Sequence, residues 1–272
     1  MSLFDELVGA RVFDLGQTMS ASMPQSPDHP GFLLTPTFRH IDVMTTDGVS
    51  ATSEVIVMSS HAGTHVDSFA HFASNGLILG GNDVHAAQSH LGVSAHGLET
   101  VAPILRRGVL LDVAGAAGVD VLAPDHGISA DELNRIATQG GIDVRAGDCV
   151  LLRTGLGALW DDKAAYPVEH AVPGLVESGA EWLAERDVFL VGADNVALER
   201  IRPDGSGMPV HVLFLTQRGI FIIEHLQLEE LAAAGATEFL FVCLPLKLKG
   251  SSGSPVRPVA VVPRRERPDD HA

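Results

Sequence analysis

Four side chains that bind zinc, manganese or iron fall within eleven residues: His61, His65, Asp67 and His71, in the run His-Ala-Gly-Thr-His-Val-Asp-Ser-Phe-Ala-His. Gly63 disfavours a helix there, so His65 and Asp67 share a face only where the chain is extended and side chains repeat every second residue. The expected local shape is a strand at 54–58, a turn at 61–64, and an extended 65–67 that presents two ligands together. A divalent cation held by imidazoles and a carboxylate, with one position open, lowers the pKa of its water to about 7 and yields hydroxide at neutral pH. Such a hydroxide attacks carbonyl carbon while the cation stabilises the oxyanion. His71 lies four residues beyond Asp67, so a helix beginning at Asp67 would project both on one side.

A second group of candidates lies far along the chain. Glu224 closes the apolar run 219–223, and a carboxylate at the end of a buried strand is costly unless a cation or hydrogen bonds compensate it. His225, next to it, ranks lower because successive strand residues face opposite ways. Asp194, in Gly192-Ala-Asp-Asn, reads as a turn or supporting acid. Competing chemistry is poorly supported. No Gly-x-Ser-x-Gly elbow is present, no glycine-rich nucleotide loop is present, and Cys149 and Cys243 sit in apolar runs where a thiolate is disfavoured.

The elements that must position these residues are short. Apolar, β-branched runs at 12–15, 54–58, 109–113, 149–153, 188–191, 220–223, 238–244 and 259–262 are bounded by Gly, Pro or Asp and read as strands, several of them fully buried. Helical signals separate them: Ser129 caps a first turn containing Asp131 and Glu132, residues 175–186 carry a helical apolar stripe, and 227–235 ends in glycine. Strands alternating with helices, without a repeat of fixed period, indicate an α/β fold in one domain spanning 1–263. A proline-rich arm at about 20–36 is expected to be irregular and to wrap the body or a neighbouring subunit, and 264–272 reads as a frayed tail.

Composition limits the partners. Eighteen Lys+Arg against 34 Asp+Glu leave a net charge of −16, which argues against nucleic acid and anionic membranes, whereas 13 histidines in an acidic chain suit cations. The N-terminus lacks the features of a signal peptide, and no apolar stretch reaches the roughly 18 residues of a membrane span, so a cytoplasmic location is expected.

The motif His-x-Gly-Thr-His-x-Asp-x-x-x-His resembles the hallmark of the cyclase superfamily that includes bacterial kynurenine formamidases and isatin hydrolases. The resemblance continues through Arg107-Gly-Val-Leu-Leu-Asp-Val, Gly147-Asp-Cys-Val-Leu-Leu-Arg-Thr-Gly, Val191-Gly-Ala-Asp, residues 211–224 and Gly253-Ser-Pro-Val-Arg-Pro, nearly the whole chain. It implies a cyclase-like domain with mixed, partly barrel-like sheets flanked by helices. It also implies that His61, His65 and Asp67 hold a first metal, that Asp67 bridges to a second completed by His211 and Glu224, and that His71 is the catalytic acid/base. The cofactor implied is Zn²⁺ or Mn²⁺, as one or two ions, in a homodimer or homotetramer. Two departures bear on the substrate. Where kynurenine formamidases carry Pro-x-Trp-Pro in the arm and a proline before the last histidine, this chain reads Met23-Pro-Gln-Ser-Pro-Asp and Asp67-Ser-Phe-Ala-His. Ser26 and Phe69 therefore become the substrate-contacting candidates. The expected activity is hydrolysis of an amide, formamide, cyclic amide or lactone in a small molecule. A cyclase or dehydratase acting without net hydrolysis, and a noncatalytic metal-binding protein, are the alternatives; mass analysis of product for one added water separates the first, and an inert His71→Ala substitution would reveal the second.

Overall fold

Each apolar run expected as a strand forms one in the computed structural model, which describes residues 7–42, 44–204 and 207–264. We number the principal strands β1 (Arg11–Asp14), β2 (Leu33–Phe38), β3 (Ser53–Val57), β4 (His65–Asp67), β5 (Ile104–Asp112), β6 (Cys149–Arg153), β7 (Leu190–Ala193), β8 (Phe221–Glu224), β9 (Glu238–Cys243), β10 (Gly253–Pro255) and β11 (Val259–Val262). Nine of them form one curled, half-barrel sheet in the order β1-β11-β9-β5-β6-β7-β8-β4-β10. The centre, β5 to β8, is parallel, and the flanking pairings are antiparallel. The chain thus has the mixed α/β architecture expected.

Parallel neighbours need crossovers, and the helical segments supply them. Helix α1 (Ala130–Gly140) connects β5 to β6, α2 (Glu177–Ala184) connects β6 to β7, and α3 (Pro209–His211), continued by a π-helical turn over Val212–Arg218, leads into β8. The Ser129 hydroxyl accepts from the Glu132 amide at 3.3 Å, the cap expected from the sequence. Both faces of the central strands are covered, so their residues alternate between two cores rather than between core and water. Val109, Leu111, Val150, Leu152, Val191 and Ile222 pack with helix residues in one core; Leu110, Cys149, Leu151, Leu190 and Ile223 pack with Phe13 and Phe241 in the other. Burial pushes the Cys243 thiol up to about 12, consistent with a structural cysteine.

The arm differs from expectation in part. Leu33–Phe38 is a strand, paired antiparallel with β3 in a hairpin outside the main sheet. Neither hairpin strand is buried: Leu34 is 52% and Ile56 55% exposed. The run at 54–58 is therefore a strand without a core face. Of the expected frayed tail only Arg264 is described; 265–272, with His271, and the N-terminal residues 1–6 lie outside the described residues. Among the described residues no helix is long and apolar enough to cross a membrane.

Candidate metal centre

Strand β4 lies between β8 and β10, with Glu224 opposite His65 and Gly253 opposite Asp67. The two-residue period puts His65 and Asp67 on one face, and the cross-strand register adds Glu224 to it. The preceding turn is built for this. Gly63 has φ +58°, a left-handed conformation that a side chain resists, and its open face lies against Met19. Thr64 next to it donates its hydroxyl to the His225 carbonyl at 2.6 Å and accepts from the Gln17 amide at 2.8 Å, tying the turn to the end of β8 and to the N-terminal segment.

The imidazoles are oriented from outside. His65 Nδ1 donates to the Gly63 carbonyl at 2.7 Å, which leaves Nε2 facing Glu224 Oε2 at 3.3 Å and Asp67 Oδ1 at 3.5 Å. His211 Nδ1 donates to Glu199 Oε1 at 2.6 Å, so its Nε2 faces Glu224 Oε1 at 3.2 Å and Asp67 Oδ2 at 3.8 Å. An outer hydrogen bond that fixes the tautomer and turns the other nitrogen inward is the usual support of a metal-ligating histidine. His61 donates Nδ1 to Asp67 Oδ1 at 2.7 Å, and its ring stacks on His71 with centroids 3.9 Å apart.

Two donor groups result, each compact enough to surround one ion: His61, Asp67 and His71, and His65, Asp67 and Glu224, with donor atoms within 4.8 Å of one another. Asp67 belongs to both. Its Oδ2 is buried and has no hydrogen-bond partner, the orphaned acceptor that a cation would satisfy. The donor set of imidazole nitrogen and carboxylate oxygen fits a divalent cation.

The electrostatics point the same way. Burial alone would lower the His65 pKa, but the Glu224 hydrogen bond and the Asp67 charge raise it to about 9. His211 likewise overcomes burial through Glu199 and Glu224 and reaches about 10. Burial would raise Glu224, yet the His211 and His65 hydrogen bonds bring it down to about 2, and Asp67 is held below its ordinary value against burial by His71 and His61. The buried carboxylates demand positive charge, and without a cation the imidazoles supply it as protons. His71 moves oppositely: burial first, then the nearby imidazoles, lower it to about 4 against the pull of Asp67, which keeps it neutral at pH 7.

His61, His65, Asp67, His71, His211 and Glu224 are all brought together. No helix begins at Asp67; a turn closed by the His71 amide on the Ser68 carbonyl at 3.0 Å returns His71 to the cluster. The grouping differs from the one the resemblance implied: His71, expected as acid/base, sits in ligand range with His61 and Asp67, His65 groups with Glu224, and His211 lies beside Glu224 outside both donor groups. A cavity of about 430 Å³ opens on the cluster, lined by Ser26, His29, His71, Phe72, His211 and Glu224 among others. Ser26 is thus placed at the cavity. Phe69 is not among its lining residues: its ring stacks on Phe221 at 4.1 Å and packs into both cores, and Phe72 takes the wall position instead. His225 adopts φ +55° beyond β8 and contacts the Tyr166 hydroxyl through Nδ1 at 2.8 Å, outside both donor groups. Asp194 accepts from Thr154 N and Oγ1, Gly155 N and Gly157 N, a clamp on the loop after β6 and not a ligand.

Two residues escaped the sequence reading. Glu199 orients His211 from twelve residues earlier, and nothing local marks it, since it follows no strand and belongs to no motif. His29, in the arm, has its ring 5.8 Å from that of His61 and forms part of the cavity wall. A histidine between Asp28 and Pro30 carries no local signal of that placement either.

Fold and site together define an α/β protein with a candidate cation site near the edge of a half-barrel sheet. The chain belongs to the family described as "Putative cyclase", whose model matches residues 13–200. Its relatives include the isatin hydrolase of Roseibium aggregatum, 24% identical over 77% of this chain and 74% of that one, and the kynurenine formamidase of Bacillus cytotoxicus, 26% identical over 75% and 77%. A crystal structure of a novel cyclase superposes with a TM-score of 0.84 at 26% identity, covering 94% of this chain and 92% of the other.

Proposed function

We propose that this protein is a metal-dependent hydrolase that opens an amide, formamide, cyclic amide or lactone bond in a small molecule. The observation that carries the reading is Asp67, buried, shared by two donor groups and left with one unpartnered oxygen among inward-turned imidazoles. Relatives named as an isatin hydrolase and a kynurenine formamidase support it. His61, His65, Asp67, His211 and Glu224 would hold Zn²⁺ or Mn²⁺, as one or two ions. When bound, such a cation supplies Lewis acidity toward a carbonyl oxygen and a water-derived nucleophile at neutral pH.

The chain's own part is proton transfer and selection. His71 is neutral at pH 7 and has its ring fixed against His61, so it can take a proton at the cluster and return it to the leaving nitrogen or oxygen. Beside the cluster the cavity wall is apolar, with Phe72, Val168, Val196, Ile201 and Met208, which suits the uncharged ring of a small cyclic or aryl substrate. Ser26 at the cavity rim is a hydrogen-bonding group for such a substrate.

The same reading includes a homodimer. The exposed hairpin of β2 and β3 presents Leu33, Leu34, Val55 and Ile56 to solvent, and an isolated two-stranded hairpin is marginal in water without a surface to pack on. Sedimentation should show a dimer that Ile56→Glu weakens; a monomeric wild type would remove this part of the reading.

Metal analysis of purified protein, combined with turnover of formamides, cyclic amides and lactones before and after chelation, tests the function. His71→Ala should retain metal while kcat falls by about 10²- to 10⁴-fold. Protein without divalent metal, or turnover indifferent to chelation, would refute the assignment; loss of metal in His71→Ala would make His71 a ligand.

A further inference from the structure

A second cavity, of about 500 Å³, lies at the other end of β7 and β8 from the metal cluster. Phe221, the first residue of β8, and Phe189, just before β7, form its floor with Phe69. Phe69 and Phe221 stack at 4.1 Å, and the Phe189 ring lies 5.2 Å from Phe221 at an angle of 50°, so the three rings form one aromatic cluster. Arg106 stands at the mouth with its guanidinium carbon 3.8 Å above the Phe189 ring. That guanidinium has one long hydrogen bond, 3.5 Å to the Gly147 carbonyl, and forms no ion pair with a carboxylate among the described residues. No acidic side chain is among this cavity's described lining residues.

We propose that this cavity is a binding site for a flat aromatic monocarboxylate, with the ring on the phenylalanine floor and the carboxylate on Arg106. The volume is within the roughly 300–1,000 Å³ of small-ligand sites. A planar guanidinium offers two parallel N–H donors to a carboxylate, and stacking on Phe189 holds that fork in place without consuming its donors. Arg106 is the one arginine or lysine among this cavity's described lining residues and no acid opposes it there, so an aromatic anion is drawn to it.

The site is also connected to the metal centre. Phe69 lies between Asp67 and His71 in the chain, and Phe221 begins the strand that ends in Glu224, about 10 Å away at the rise of a strand. Hydrolysis of a neutral cyclic aryl amide or lactone creates an aromatic carboxylate, so the cavity suits the product class of the reaction proposed above. That link rests on the proposed function; the binding itself does not.

Calorimetric titration of metal-loaded protein with benzoate, and with benzamide as its neutral counterpart, tests the site. Benzoate should bind one equivalent per chain, about tenfold or more tighter than benzamide. Arg106→Gln should remove that preference, and Ala102→Trp should fill the cavity and abolish both; each position is exposed, so folding is retained. Chelation should leave benzoate binding intact. Absence of binding at millimolar benzoate, equal affinity for benzamide, indifference to both substitutions, or loss of binding on chelation, which would place benzoate on the metal, would each overturn the proposal. Failure of the hydrolase assignment would leave all of these readings unchanged.

Discussion

Replacing Glu199 with glutamine tests whether the metal site is built from outside inward. Glu199 is buried and saturated: Oε1 accepts from the His211 amide at 2.9 Å and from His211 Nδ1 at 2.6 Å, and Oε2 accepts from the Val210 amide at 3.2 Å. In Glu199→Gln one oxygen becomes an NH₂ donor. Either orientation of the amide leaves it facing an N–H group, so at least one buried donor loses its acceptor, at a cost of about 1–3 kcal/mol. The charge that holds the His211 tautomer is lost as well, and outer hydrogen bonds of this kind contribute about 10- to 100-fold in metal affinity or activity. The two figures agree, since a tenfold effect corresponds to about 1.4 kcal/mol. Competition with a chelator should show metal affinity lowered by that factor, and a thermal melt of the metal-free protein should show Tm lowered by about 5 °C. Metal affinity within twofold of wild type together with an unchanged Tm would refute the argument that Glu199 positions His211.

Further outcomes follow from the same geometry. In the metal-free protein His65 and His211 have pKa values raised from 6.5 to about 9 and about 10, so their contribution to stability is complete below about pH 6.5 and is lost as the pH rises through 9 to 10. His71 and His225 are lowered from 6.5 to about 4 and about 3, so their contribution is present above pH 6.5 and is lost as the pH falls through those values. The metal-free Tm should therefore peak near pH 6.5, whereas metal that displaces the protons of His65 and His211 should hold Tm up to pH 9; superimposable melts of the two forms at pH 9 would contradict this. Gly253→Ala would press a methyl group into the His61 ring, which Asp67 and Ser252 hold by hydrogen bonds of 2.7 and 3.1 Å and His71 covers. The expected cost is about 1–3 kcal/mol with reduced metal occupancy, and a variant with wild-type Tm and full occupancy would show that His61 can move aside.

The local grammar of the chain was sufficient for the strands and the first ligands. Residues 61–67 combine a left-handed glycine, a turn threonine and an alternating His-Val-Asp, and these act over a few bonds, so the turn and the shared face of His65 and Asp67 follow from the residues themselves. Glu224 was legible for a similar reason: an acid at the end of an apolar run needs a partner. The arm hairpin was less so, because prolines mask the strand at 33–38 and its residues pack on no core of their own chain.

What the sequence by itself determined is the inventory of ligands and the strands that carry them, because these depend on periodicity and turn chemistry within a few residues. Tertiary structure alone decided which oxygen of Asp67 is left unpartnered, that Glu199 supports His211, and that His29 reaches the cavity wall. It also turned Phe69 away from the metal cavity and put Phe72 in the wall, because a turn and not a helix follows Asp67. Those outcomes depend on strand order and on contacts between residues far apart in the chain, to which local spacing is blind.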